Sequence, residues 1–283
     1  MERIGVLGST GMAGHVIATY LEEKGYCVYR ASRSEVLGEK RRPLDVTNLS
    51  ALQGWLKESR LDTVVNCIGL LQNACEARPD MAVFINAYLP HYLEHYATNY
   101  RVIHLSTDCV FSGKDGAYRE DSLCDGLTMY DRSKALGELH NERDLTFRMS
   151  IIGPDIDPKG TGLLNWFLQQ TSDIQGYDKA IWNGVTTLEL AKAIDAAIQQ
   201  KLCGLYQLVP QEHISKHDLL QIFHKVFANS TVQIHKVDGP QVNKTLCNTR
   251  TDFDFYVQDY RTQIEELYKW MKMHMSLYPH YHL

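Results

Sequence analysis

The stretch Arg3–Gly25, RIGVLGSTGMAGHVIATYLEEKG, decides the fold. Its first five residues form an apolar, partly β-branched run that ends at Gly8, and the residues behind Met12 carry the mixed apolar spacing of a helix that stops at Gly25. Strand, glycine turn and helix in that order open a βαβ unit. Gly8, Gly11 and Gly14 recur at three-residue intervals across the turn. The first permits a tight bend, the second lets backbone approach a pyrophosphate, and the third allows close helix packing, with the diphosphate over the helix N-terminus. The loop, with Ser9, Thr10 and Met12 between the glycines, is therefore a candidate dinucleotide cradle.

Outward from this unit the alternation continues. A second strand is predicted over 26–31, a helix over 50–59, a buried strand over 62–69, a long helical stretch over 79–100, a strand over 101–107, a helix over 130–141 and a sixth strand over 145–152. Alternating strands and helices imply an α/β fold with a doubly wound parallel sheet, a Rossmann arrangement. After Gly153 the rhythm shifts to amphipathic helices around the short run GLYQLVP. This predicts a nucleotide-binding domain over 1–153 and a smaller, interleaved substrate-binding region over 154–283, part of which returns to the main sheet. Ligands of such sheets sit beyond the carboxyl ends of the strands. The site should thus draw on Gly8–Gly14, on Cys67, Ile68 and Gly69 for a cofactor with Leu70 toward a substrate, on Ser106–Asp108, and on the turn after Ile152.

Bulk properties bound the function. A formal charge of −5 and a pI near 6.2 argue against a nucleic-acid surface. No apolar run approaches the roughly 20 residues that span a bilayer. Seven cysteines, scattered and without C-x-x-C spacing, and a start (MERIGVLG) without a basic-then-apolar leader predict a cytoplasmic protein with reduced thiols. The N-x-S/T matches at Asn48, Asn229 and Asn243 are read as loop or helix-cap residues. The histidines form no metal-ligand set, so no metal is expected; those of the last residues, His274, His280 and His282 beside Tyr278 and Tyr281, are read as part of a mobile tail.

At the end of the second strand, where an acid would grip the ribose 2′-hydroxyl of NAD, the chain reads YRASRS. Arg30 and Arg33, with Ser32 as a further donor, suit a 2′-phosphate and point to NADPH, with NADH the alternative. Asp45 and Val46 close a third short strand as a weaker adenine contact.

Tyrosine-x-x-x-lysine occurs three times: Tyr20–Lys24, Tyr130–Lys134 and Tyr268–Lys272. Only Tyr130 follows a strand whose tip carries Ser106, Thr107 and Asp108. The other two read as packing or surface pairs. One helical turn places Tyr130 and Lys134 on one face. An ammonium about 4 Å from a phenol is worth about 4 kcal/mol at an effective dielectric near 20, enough to bring the phenol toward neutral pH as a general acid. Lys134 can also reach a nicotinamide ribose, and Thr107 can donate to a substrate carbonyl oxygen.

These residues resemble the extended short-chain dehydrogenase/reductase superfamily, and within it the dTDP-4-dehydrorhamnose reductases and their sugar-nucleotide relatives. The resemblance rests on GSTGMAG, VVNCIGL, FINAYLP, LSTDCVFSGKDGAYREDS, YDRSKALGE and FRMSIIGP, and continues in NGVTTLELAKAI, GLYQLVPQEHISKHDLL and NTRTDF. It implies a catalytic triad of Thr107, Tyr130 and Lys134. It also implies NADPH-dependent reduction of the 4-keto group of a nucleotide-linked deoxy sugar for surface-polysaccharide precursors, by a monomer or homodimer. Asp108 falls with Thr107 on the substrate side. Departures from the pattern are Asp131 after the tyrosine, Cys109 after the Thr-Asp pair, and the run Met149-Ser150 where a tryptophan is usual. Cys109 stands where related dehydratases carry a glutamate, which disfavours a dehydratase. An epimerase, or a non-catalytic regulatory subunit like that of methionine adenosyltransferase, are the alternatives. Arg148 is read as a substrate contact or a strand-end cap, and Trp182 as an apolar wall for the sugar or base or as a core residue.

Overall fold

The computed structural model describes residues 1–228 and 232–283; the Asn229 motif lies outside the described residues. The chain begins with β1 (Arg3–Leu7), α1 (Met12–Glu23), β2 (Cys27–Ser32), β3 (Arg41–Pro43), α2 (Leu49–Ser59), β4 (Thr63–Asn66), α3 (Gln72–Ala77) and α4 (Pro79–Ala82). There follow α5 (Leu89–Tyr96), β5 (Arg101–Leu105), α6 (Met129–Leu136), β6 (Leu145–Arg148), β7 (Ile151–Ile152), α7 (Leu163–Leu168), β8 (Ile174–Tyr177), β9 (Ala180–Trp182) and β10 (Val185–Thr186). The last part holds α8 (Thr187–Gln200), β11 (Gly204–Gln207), β12 (Ile214–Ser215), α9 (Lys216–Val226), β13 (Ile234–Val237), β14 (Val242–Asn243) and α10 (Tyr260–Met273).

Seven strands form one sheet in the order β11-β6-β5-β4-β1-β2-β3, every pair parallel. This is the doubly wound Rossmann sheet. Its strand order reverses between β1 and β4, which opens the crevice where such folds bind ligands. Alternation along β1 sends Ile4 and Val6 toward α1, α8 and α10, and Leu7 toward α2 and α5. Two apolar layers therefore enclose the sheet. Among the described residues no helix is long and apolar enough to cross a membrane.

The predicted helix over 79–100 is broken. Arg78 leaves the helical region ahead of Pro79, at φ −137° and ψ 74°, since a residue before proline is disfavoured there, so α3 and α4 are separate. Pro90 then lacks the amide that would close on the Asn86 carbonyl, and the chain widens into a π-helical turn over Val83–Tyr88. The predicted strand over 145–152 likewise splits. β6 stays in the main sheet, whereas β7 turns away to pair with β10, at Met149-Ser150. The helix predicted over 130–141 stops at Gly137. The sequence after Gly153 does return a strand to the main sheet, β11, as its edge beside β6.

The tail is a clear correction. Tyr278 and Tyr281 are buried in the main core. Tyr278 donates to His15 Nε2 at 2.7 Å, Tyr281 donates to Asn165 Oδ1 at 2.7 Å, and His274 bonds Glu23 at 2.6 Å. Five aromatic or imidazole rings fall within the last ten residues, and the fold uses the two buried tyrosines among them as a clasp.

Candidate active site

The glycine loop leaves β1 with Gly8 at φ +79°, and a Cβ on Gly14 would sit 2.1 Å from the Gly8 carbonyl oxygen. Only glycines fit these two positions. α1 begins behind Gly11 with no side-chain cap and no acid in its first turn, so its amides are open to an anion. The uncapped helix start behind a glycine turn suits an anion such as a dinucleotide diphosphate. Gly8 packs against Cys67 and Ile68 across the switch point, which brings the loop after β4 alongside. That loop is held from behind. Asn86 accepts from Leu70 N at 2.8 Å and donates to the Leu70 carbonyl and to Ser133 Oγ.

At the end of β2 the expectation for Arg30 is overturned. Its guanidinium forms a bidentate pair with Glu22 of α1 at 2.9 and 2.6 Å and also donates to Thr19. Arg30 lies on the face of β2 that packs against α1, so this arginine is spent inside the fold. Arg33 is exposed, and its charge helps hold the Asp45 carboxyl below its ordinary range, behind the larger effect of two bonds from Thr47. Asp45 thus caps its own turn, and Val46 is buried in the core. Ser32 accepts from Thr10 Oγ1 at 2.9 Å. The residue that sequence reasoning missed here is Glu35, buried with its carboxylate 2.5 Å from Ser9 Oγ.

Thr107 closes the tip of β5 and is buried. α6 starts in a capping box, Thr128 Oγ1 accepting from Asp131 N and Asp131 Oδ2 accepting from Thr128 N. Asp131, anomalous in the sequence pattern, therefore fixes the first turn that carries Tyr130. The phenol lies near the Thr107 hydroxyl, which itself donates to Asp108 Oδ1 and accepts from Cys109 N. Burial pushes it well above the ordinary phenol value, with the Cys109 thiol adding to the rise and Thr107 opposing it. The ammonium expected to lower it is elsewhere: Lys134 Nζ donates to the Leu105 carbonyl at 2.6 Å and lies 3.4 Å from His104 Nε2. Burial brings Lys134 down to about 8 and holds His104 neutral.

Arg148 is not a substrate contact. It is 1% exposed and forms a bidentate pair with Glu138 at 2.9 and 2.6 Å, and Glu138 also accepts from Ser106 Oγ at 2.6 Å. Trp182 is a core tryptophan. Its indole donates to Ser150 Oγ at 2.8 Å, one side meets Tyr260, and the Lys216 ammonium lies over the ring. Asp108 follows Thr107 and is partly buried, its carboxyl pushed up by burial. Asp178, His217 and Asp218 place ligand atoms within 4.8 Å of one another, but Asp178 pairs with Lys236 and His217 with Asp218, which satisfies their charges.

The model of the RmlD substrate binding domain family matches residues 2–246. The probable low-salt glycan biosynthesis reductase Agl14 of Haloferax volcanii is 32% identical over 146 residues, covering 50% of this chain and 48% of that protein. The dTDP-4-dehydrorhamnose reductase of Streptomyces griseus is 31% identical over 137 residues, 47% of this chain and 42% of its own. The chain thus aligns with about half the length of these curated relatives. The fold is shared with the dTDP-4-dehydrorhamnose reductase of Bacillus anthracis, solved in complex with NADP, at a TM-score of 0.80, 20% identity and coverage of 95% and 99% of the two chains.

Proposed function

Since the chain belongs to the RmlD substrate binding domain family, we propose that it is an NADPH-dependent oxidoreductase of the extended short-chain dehydrogenase/reductase type. Its substrate in this reading is the keto group of a nucleotide-linked deoxy sugar, and its product a hydroxy sugar for polysaccharide assembly. The observation that carries the reading is the meeting of Thr107 and Tyr130, with Lys134 one turn on, at the carboxyl edge beside the glycine cradle. Names of relatives, two of them reductases of glycan or deoxy-sugar pathways, support it.

In this reading Gly8–Gly14 hold the diphosphate and Arg33 meets the 2′-phosphate, the role that Arg30 cannot fill. The bound nicotinamide supplies a hydride to the carbonyl carbon. Thr107 donates to the carbonyl oxygen and orients it. Tyr130, kept protonated at neutral pH by its burial, delivers the proton that the developing alkoxide needs. Lys134, anchored on the Leu105 carbonyl, stands one turn behind to fix the cofactor ribose. Residues after Gly153 provide the substrate side.

The test is NADPH oxidation, followed at the nicotinamide absorbance, with freshly generated dTDP-, UDP- and GDP-4-keto sugars. Turnover with one of them should fall about 10²- to 10⁴-fold in Tyr130→Phe with the NADPH dissociation constant unchanged. Full activity in that variant sinks the mechanism, and silence across the panel with cofactor bound moves the reading to an epimerase or a regulatory subunit.

A further inference from the structure

The small sheet of the C-terminal region gathers charge in a way that hydride transfer does not require. β12 runs antiparallel to β9 with Ile214 opposite Trp182, and β14 runs parallel to it with Asn243 opposite Ile181. The chain leaves each flanking strand on a lysine, Lys216 and Lys244. Lys216 Nζ lies 4.8 Å from the centre of the Trp182 ring, which the bond to Ser150 holds in place. Both ammonium groups act on Asp108, the neighbour of Thr107: burial pushes that carboxyl up, and Lys244 and Lys216 pull it back.

Neither lysine donates a hydrogen bond to any of the described residues, and Asp108 can offset only one of the two charges. Lys216 also occupies the first position of α9, against the positive end of the helix, where a cation is disfavoured. Burial brings it down to about 8. The Trp182 ring and the Asp108 carboxyl offset part of that cost, and an incoming anion would offset more.

We propose that Lys216 and Lys244 form an anion clamp on the substrate side of Thr107, gripping the phosphate oxygens of a nucleotide-linked sugar or a carboxylate on the sugar itself. The clamp sets the distance between the anchored anion and the carbonyl presented to Tyr130. It rests on the reductase reading for that carbonyl but not for the anion.

Binding without turnover separates the two. The full chain, saturated with NADP⁺ so that the cofactor cradle is filled, is titrated calorimetrically with dTDP, with inorganic pyrophosphate and with thymidine. Lys216→Met should weaken dTDP and pyrophosphate by about tenfold or more, the value of one charge-assisted contact, and Lys244→Met should weaken them too. Thymidine binding, NADP⁺ affinity and melting temperature should hold, and Lys216→Arg should keep most of the affinity. Equal dTDP binding in wild type and Lys216→Met together with an unchanged preference between uronate and neutral sugar, or an equal loss of thymidine and dTDP, overturns the clamp. A second arm compares UDP-glucuronate with UDP-glucose: a preference for the uronate that Lys216→Met erases, with pyrophosphate unaffected, keeps the clamp and assigns it to a sugar carboxylate. Lysine-dependent dTDP binding in a protein that reduces no keto sugar upholds the clamp while the reductase reading falls.

Discussion

Three tyrosine–lysine pairs at the same spacing fall into two different settings. Lys24 and Lys272 lie over the rings of Tyr20 and Tyr268 at 5.3 Å, as exposed flexible cations do when no better acceptor is near. Lys134 is buried, and a buried ammonium must find a hydrogen-bond acceptor, so it turns to the Leu105 carbonyl instead of the phenol. Burial thereby outweighs the Coulombic lowering that spacing alone suggests for Tyr130. Arg33→Ala should raise KM for NADPH about tenfold or more, one charge-assisted contact, and leave KM for NADH nearly unchanged, while Arg30→Ala should cost stability in place of cofactor selectivity. Steady-state kinetics with both cofactors and a melting curve decide this. His15 gives a pH signature: its Nδ1 donates to the Gly11 carbonyl, its Nε2 accepts from Tyr278, and burial lowers it to about 4. The unfolded chain protonates this imidazole first as pH falls, so stability is lost between about pH 6.5 and pH 4, by up to about 3 kcal/mol. Urea unfolding at pH 7 and pH 4.5 should show that loss in wild type and a smaller one in His15→Gln. The glycine spacing and the Tyr130 helix were legible in the sequence because they are local; the partners of Arg30 and His15 were not, because Glu22 sits across a helix–strand contact and Tyr278 lies 263 residues away.

At the scale of elements, the carboxyl edge of the sheet is braced by one buried ion pair. Glu138, just past the Gly137 end of α6, joins Ser106 at the tip of β5 to Arg148 at the end of β6. Arg148 also stacks on Phe111, and its Nη1 has no partner among the described residues. Removing one charge strands the other in a low-dielectric interior. Glu138→Ala should therefore lower unfolding free energy by about 3–5 kcal/mol, and the double change Glu138→Leu with Arg148→Met should recover much of it. Denaturant curves on both variants test this, and an unaltered midpoint in Glu138→Ala refutes the brace. Sequence periodicity indicated α6 and both strands but left Arg148 open between a substrate contact and a strand-end cap, because it cannot show that Glu138 meets it at the sheet edge. It also missed the π turn, although Pro90 marks it: a proline one turn beyond Asn86 releases that carbonyl, which Gly137 approaches so closely that a Cβ there would sit 1.9 Å away.

For the molecule as a whole, the last residues close the structure over α1. Tyr278 reaches His15 of α1, and Tyr281 bonds Asn165 and the Asp155 amide in the turn beyond β7. Ending the chain after Leu277 should cost about 3–5 kcal/mol or more, the scale of losing buried aromatic side chains, and should weaken NADPH binding, since α1 and the 155–165 segment lose their common support. Thermal unfolding with and without NADPH measures both effects; an unchanged cofactor affinity would leave the clasp a purely structural one. The sequence by itself determined, in outline, the alternation of strands and helices as far as β6, the glycine turn after β1 and the tyrosine helix, because backbone periodicity and turn chemistry are written in neighbours three or four residues apart. Only the tertiary structure decided that Arg30 belongs to Glu22, that the tail is a clasp, and that Lys216 and Lys244 converge beside Asp108. Those outcomes depend on which faces of distant elements meet, and buried charges and rings take the partners that packing brings to them, not those nearest along the chain.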